Sequence, residues 1–209
     1  MKKYGILALA FLFMVSCSRY HVKNEIKNGS ALSKFKNSGV MYHNPQSSPI
    51  RIALMSRTLT QWLESYTRIN TLQILEIKDK ALVTSKSEFD QFLQLTEDNG
   101  FLYYKTLGIV NRYLQENRDA LTKLMTDNNL DSLIIYEVDP SLSAEMQYTD
   151  FSSMMVIVGK DLKVEYMDRQ YDDFDTNEYD KDLMQNHILD EINSRFIELM
   201  IKLKYLKKK

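Results

Sequence analysis

Two short stretches constrain this chain most: Leu133-Ile134-Ile135-Tyr136 and Met154-Met155-Val156-Ile157-Val158. A strand with one wet face alternates apolar and polar residues, because successive side chains point to opposite sides. These stretches do not alternate, which is the signature of strands buried on both faces. Gly159-Lys160-Asp161 then supplies a turn, and Leu162, Val164 and Tyr166 alternate with Lys163 and Glu165. That pattern predicts a hairpin with a half-exposed partner strand.

The remaining elements are arranged around this pair. Gly39 to His43 reads as a short strand closed by Asn44-Pro45. Ser47 and Ser48 offer caps and Pro49 a preset first turn for a helix carrying Ile52, Leu59, Trp62, Leu63 and Tyr66. Leu72, Ile74, Leu75 and Ile77 predict a second strand. Ser85 and Glu88 form a capping box for a helix bearing Phe89, Phe92 and Leu93. Tyr103, Leu107, Val110 and Leu114 mark the next helix, and Asn117 caps a short one through Leu121, Leu124 and Met125. An Asp175/Glu178 capping box opens the longest helix, striped by Ile188, Ile192, Phe196, Leu199 and Leu203. Its lysine-rich end, Lys202, Lys204 and Lys207 to Lys209, matches the negative end of the helix dipole. The expectation is one α/β domain of two or three layers, with a mixed sheet of about five strands flanked by helices and a long C-terminal helix. An α+β arrangement of the same elements is the alternative.

With 209 residues, 44% hydrophobic and 26% charged, the chain suits one domain and excludes collagen-like or wholly disordered readings. A net charge of −1 gives no sign of a nucleic-acid binder. One cysteine excludes an intrachain disulfide and any CxxC metal site.

That cysteine stands at an informative place. Lys2 and Lys3 precede Tyr4 to Val15, a stretch without charge, then Ser16 and Cys17. Twelve apolar residues fall short of the roughly 20 that span a bilayer, and they fit the hydrophobic region of a secretory signal. Met14-Val15-Ser16-Cys17 resembles the lipobox of bacterial lipoproteins, with Met14 where the consensus prefers leucine, as in the looser spirochaete type. The resemblance implies diacylglycerol transfer to the Cys17 thiol, cleavage after Ser16, and acylation of the new amino terminus by a fatty acid such as palmitate. Ser18 after the cysteine implies export to the outer membrane. Residues 1–16 are thus expected as signal peptide and 17–37 as lipidated cysteine and flexible basic tether, with 38–209 as the globular domain. The tether carries Arg19, Lys23, Lys27, Lys34 and Lys36 against Glu25, a local net of +4. The element order of the body is similar to the small domain shared by the TolB amino-terminal region and the curli-assembly and penicillin-binding-protein-activator lipoproteins.

Catalytic motifs are sparse. His21, His43 and His187 form no HExxH or HxH, and no GxSxG, P-loop or GxGxxG is present. Neither a metal nor a cofactor is expected. His43 beside a strand end is where an α/β site would lie, although a structural histidine is the simpler reading. The densest polar segment holds Asp168, Asp172, Asp173, Asp175, Glu178, Asp180 and Asp182, interleaved with Tyr171, Phe174 and Tyr179. Asp173-Phe174-Asp175-Thr176-Asn177 starts like a calcium loop, but Glu178 and Met184 occupy the places that need glycine and glutamate. The acids are therefore expected to cap the long helix and form an exposed loop. Tyr171, Asp172, Asp173, Phe174, Asp175 and Tyr179 make a candidate partner-binding patch. The functional expectation is a lipid-anchored envelope protein without catalytic activity, whose domain binds an envelope protein or peptidoglycan. The alternatives are an envelope-acting enzyme using carboxylates such as Asp172 or Asp173, and a small solute-binding lipoprotein.

Overall fold

The computed structural model describes residues 26–27, 32, 34–43, 49–77, 82, 101–141, 148–175 and 181–209. Eight strands and four helices are defined there. They are β1 (Ile26–Lys27), β2 (Asn37–His43), α1 (Pro49–Glu64), β3 (Tyr66–Arg68), β4 (Thr71–Ile74), α2 (Phe101–Glu116), α3 (Arg118–Asp127), β5 (Ser132–Ser141), β6 (Tyr148–Gly159), β7 (Val164–Asp175), α4 (Lys181–Lys202) and β8 (Leu206–Lys208). The main sheet runs β1-β7-β6-β5-β2-β4, and β3 pairs with β8 in a separate ribbon. β2 is parallel to both β4 and β5, whereas β5, β6 and β7 are antiparallel neighbours. The sheet is mixed, as expected, and two-residue β1 is added to five longer strands.

The non-alternating strands are explained by what covers them. On one face Val40, Tyr42, Ile134, Tyr136, Met155, Ile157 and Tyr166 pack with Met55, Leu59 and Leu63 of α1 and with Ile192, Phe196 and Met200 of α4. On the other, Met41, Leu133, Ile135, Met154, Val156, Val158 and Met167 meet Val110, Tyr113 and Leu114 of α2 and Leu121 and Met125 of α3. The domain is a three-layer α/β sandwich. Each core side chain removed from water contributes about 1.5–3 kcal/mol before entropy is charged against it. Gly39 sits under two leucines that follow α3 and β4, Leu130 and Leu75. A Cβ there would stand 2.5 Å from Leu130 Cδ1 and 2.7 Å from Leu75 Cδ1.

Several expected boundaries move. Leu32 and Phe35, placed in the tether by residue type, are buried in the core, and Ile26 pairs with Met167. The folded body therefore begins before residue 38. Lys34 and Lys36 flank Phe35 and hide an apolar anchor inside a polar stretch. Tyr66 does not continue α1, because it starts β3, paired with Lys208. Lys207 to Lys209 do not extend the last helix either. α4 ends in a reversal in which Lys204, at φ 63, gives its N–H to Ile201 O and Tyr205 gives its N–H to Met200 O. This bond pair is the Schellman closure of a helix. The same closure ends α3, with Asn129 at φ 51 and bonds from Asn129 N to Thr126 O and Leu130 N to Met125 O. Asn117 starts α3 through its carbonyl alone, and its side-chain amide donates back to Tyr113 O. The helix expected around Phe89, Phe92 and Leu93 lies outside the described residues.

Candidate functional site

Asp172, Asp173 and Asp175 of the acidic segment lie in a strand, and Asp182 lies in the first turn of α4. Tyr171, Asp172, Asp173, Phe174 and Asp175 are the last residues of β7, in register with Ser152, Phe151, Asp150, Thr149 and Tyr148 of β6. The described part of α4 starts at Lys181, while Tyr179 and Glu178 lie outside the described residues. Extended, ladder-paired backbone over Asp173–Asp175 cannot coil into a calcium loop, whose ligands converge around a sharp glycine turn. For Asp172 and Asp173 the expected loop gives way to a strand, because β6 supplies a twelve-residue partner. The candidate patch is thus the far part of a long hairpin that runs on past the end of β2 at His43. Pro140 fits the same picture. Beyond Glu137, β5 pairs with β6 alone among the described residues, which suits Pro140, a residue with no amide N–H to give to a second neighbour.

Cys17 and the lipobox, Met14 to Cys17, lie outside the described residues. No described helix is long and apolar enough to cross a membrane.

The structure instead gathers buried polar groups that periodicity did not single out. His43 ends β2 opposite Glu137 of β5. His43 Nδ1 lies 3.4 Å from Glu137 Oε2, and their side chains are 0% and 2% exposed. Tyr113 of α2 stands edge-on to the imidazole, with ring centroids 5.2 Å apart, and donates its hydroxyl to Leu82 O. The group lies between the sheet and the helical layer, shielded from water. The simpler reading of His43, as a structural residue, is the one the packing supports.

On the opposite face Tyr42 donates to Asn193 Oδ1 at 3.2 Å, and Asn193 Nδ2 donates to Thr58 Oγ1 at 3.0 Å. Tyr136 donates to Ile192 O at 3.1 Å. These bonds bind α1 and α4 to β2 and β5. Burial pushes the Tyr42 and Tyr136 hydroxyls well above the usual phenol range, so both stay protonated donors. At the start of the same strands, Ser38 and Ser132 hydroxyls meet at 2.5 Å, and Asp131 accepts the N–H groups of Lys36 and Asn37. Sequence gave one signal for this network, tyrosines at apolar positions, but not their partners.

No family model matches the chain. No curated protein matches it by sequence. Among solved structures, the chain is similar to the crystal structure of lipoprotein GNA1162 from Neisseria meningitidis. The TM-score is 0.38 with 12% identity, covering 80% of this chain and 99% of that one. It is similar also to a PelC dodecamer from Paraburkholderia phytofirmans, with TM-score 0.38 and 8% identity, covering 77% of this chain and 80% of that one. Likenesses of that distance carry no argument about function.

Proposed function

We propose that the chain is a lipid-anchored protein of the bacterial cell envelope, acylated at Cys17, whose sandwich domain binds a protein or wall partner and performs no catalysis. The observation that carries this reading is the placement of the one cysteine directly after an uncharged stretch and the small Ser16. A thioether-linked diacylglycerol with a third acyl chain inserts many methylenes, each worth about 0.8 kcal/mol, where a single chain holds only marginally. Ser18 directs the anchored chain to the outer membrane. The acylated cysteine leaves no free thiol in an oxidising compartment, which suits a chain with no other cysteine.

Intact-mass measurement of the native protein tests it. A chain that begins at Cys17 and carries acyl additions is expected, and Cys17→Ser should move the protein from the detergent phase to the aqueous one. A mature chain that retains Met1, or one that is unmodified and aqueous, sinks the reading. Partner binding is tested separately, by co-purification from crosslinked envelopes with the patch Tyr171, Asp172, Asp173, Phe174 and Asp175 intact or neutralised.

A further inference from the structure

The ends of this sandwich differ in charge. β2, β4 and β5 begin at one end, where Asn37 is in register with Thr71 and Ser38 with Ser132. The β3–β8 ribbon is fixed there: Thr71 N–H donates to Lys36 O, and Ile69 N–H donates to Tyr205 O at 2.9 Å. Arg68, Lys204, Lys207 and Lys208 are all exposed on or beside this ribbon. None of the four forms an ion pair with a described residue. Ile69, between Arg68 and the turn at Lys204, is 55% exposed, and it is the one exposed large hydrophobic side chain among the described residues. Asp172, Asp173 and Asp175 lie at the other end, because β7 runs from Val164, opposite Val158, to Asp175, opposite Tyr148.

We propose that the β3–β8 ribbon, with Ile69 at its tip, is seated on the anionic lipid surface of the membrane that holds the protein. This rests on the anchoring reading. The chain length allows the arrangement: eight residues lie between Cys17 and Ile26, and the nine steps, fully extended, reach at most about 30 Å. Ile26 is in register with Met167, which lies level with Val156, Ile135 and Met41, four residues along β2 from Asn37. Four strand residues measure about 13 Å, so the anchor has chain enough to return to the basic end. An anionic surface attracts lysine and arginine within about a Debye length and repels the carboxylates. An exposed apolar side chain at the end of a ribbon that carries exposed cations gains from entering the head-group boundary. Anchor and charge polarity together stand the sheet on its basic end and hold the acidic hairpin outward, free for a partner.

The test uses the full-length, acylated protein carrying Thr67→Cys, an exposed ribbon position, labelled with a polarity-sensitive fluorophore. Acylation at Cys17 leaves the new thiol as the one labelled. Vesicles of phosphatidylcholine alone are compared with vesicles that also contain phosphatidylglycerol. The probe should enter an apolar environment on the anionic vesicles only, and raised salt should reverse it. Each lysine near such a surface is worth about a fivefold change in occupancy, so Lys204→Gln, Lys207→Gln and Lys208→Gln together should lower the docked fraction about 100-fold. Ile69→Ser should lower it further without changing the melting temperature. Co-sedimentation reports the anchor independently. Protein that sediments with both vesicle types while its probe stays in water overturns the docking and leaves the anchor standing. Cys17→Ser protein whose probe still shifts on anionic vesicles supports the contact as a property of the ribbon itself. A ribbon that binds soluble heparin while its probe stays in water on vesicles overturns the proposal in favour of a polyanionic partner.

Discussion

His43 and Glu137 face each other across the parallel β2–β5 pair, imidazole nitrogen 3.4 Å from carboxylate oxygen, both closed off from water. Removing one member of such a pair withdraws a polar neighbour from the other in a site closed to water, which costs about 1–3 kcal/mol. Glu137→Leu should therefore destabilise the domain by about that amount in urea unfolding. His43→Phe combined with Glu137→Leu should cost less than the sum of the single changes. Additive costs would mean the two side chains do not interact.

Gly39 is required by packing and not by backbone conformation. Gly39→Ala must displace the methyl ends of Leu130 and Leu75, a cost of about 1–2 kcal/mol in a filled core. Gly39→Val should cost more, and Leu130→Ala in the alanine background should recover part of the loss despite its own cavity. A denaturation series over the four proteins checks this.

Lys204 holds a left-handed conformation that glycine adopts freely. The strain relieved, about 1–2 kcal/mol, exceeds the entropy that glycine adds to the unfolded chain, about 0.5–1 kcal/mol. Lys204→Gly should thus raise stability by a few tenths of a kcal/mol to about 1. Alanine at the same position should not.

Alkaline pH should unfold the domain through its buried phenols. Burial raises Tyr42 and Tyr136 above the usual value of 10.0. Above that value the unfolded chain has released protons that the folded one still holds, so stability falls as pH rises. The contribution is complete below pH 10 and is lost from there upward, at up to about 1.4 kcal/mol per pH unit for each tyrosine. Tyr136→Phe should make the decline shallower in a pH series of melting curves, besides losing about 1 kcal/mol for the bond to Ile192 O.

The paired backbone of Asp173–Asp175 leaves no calcium loop, so calcium should raise the melting temperature only as much as magnesium does. Calorimetric titration with both ions checks it. A calcium-specific gain at micromolar concentration would contradict the assignment of these residues to a ladder.

Much of the architecture was legible in local pattern. Unbroken apolar stretches at Leu133–Tyr136 and Met154–Val158 called for cover on both faces, and the stripe Leu121, Leu124 and Met125 located a helix without reference to anything distant. What failed locally was pairing at long range. Lys207 and Lys208 read as a helix tail until β3, more than a hundred residues upstream, is seen to claim them. The acids of β7 read as a helix cap until β6 takes them into a hairpin.

The two-sided sheet and its helical layers follow from residue order alone, because burial of apolar side chains obeys a period that the residues carry with them. Residue order also placed Cys17 after an export-like segment. The long-range pairing decided that Leu32 and Phe35 belong to the core, that His43 is enclosed against Glu137, and that exposed cations collect on the β3–β8 ribbon. Those outcomes depend on backbone hydrogen bonds between distant strands. Such bonds are nearly indifferent to side-chain identity, so no local residue pattern announces them.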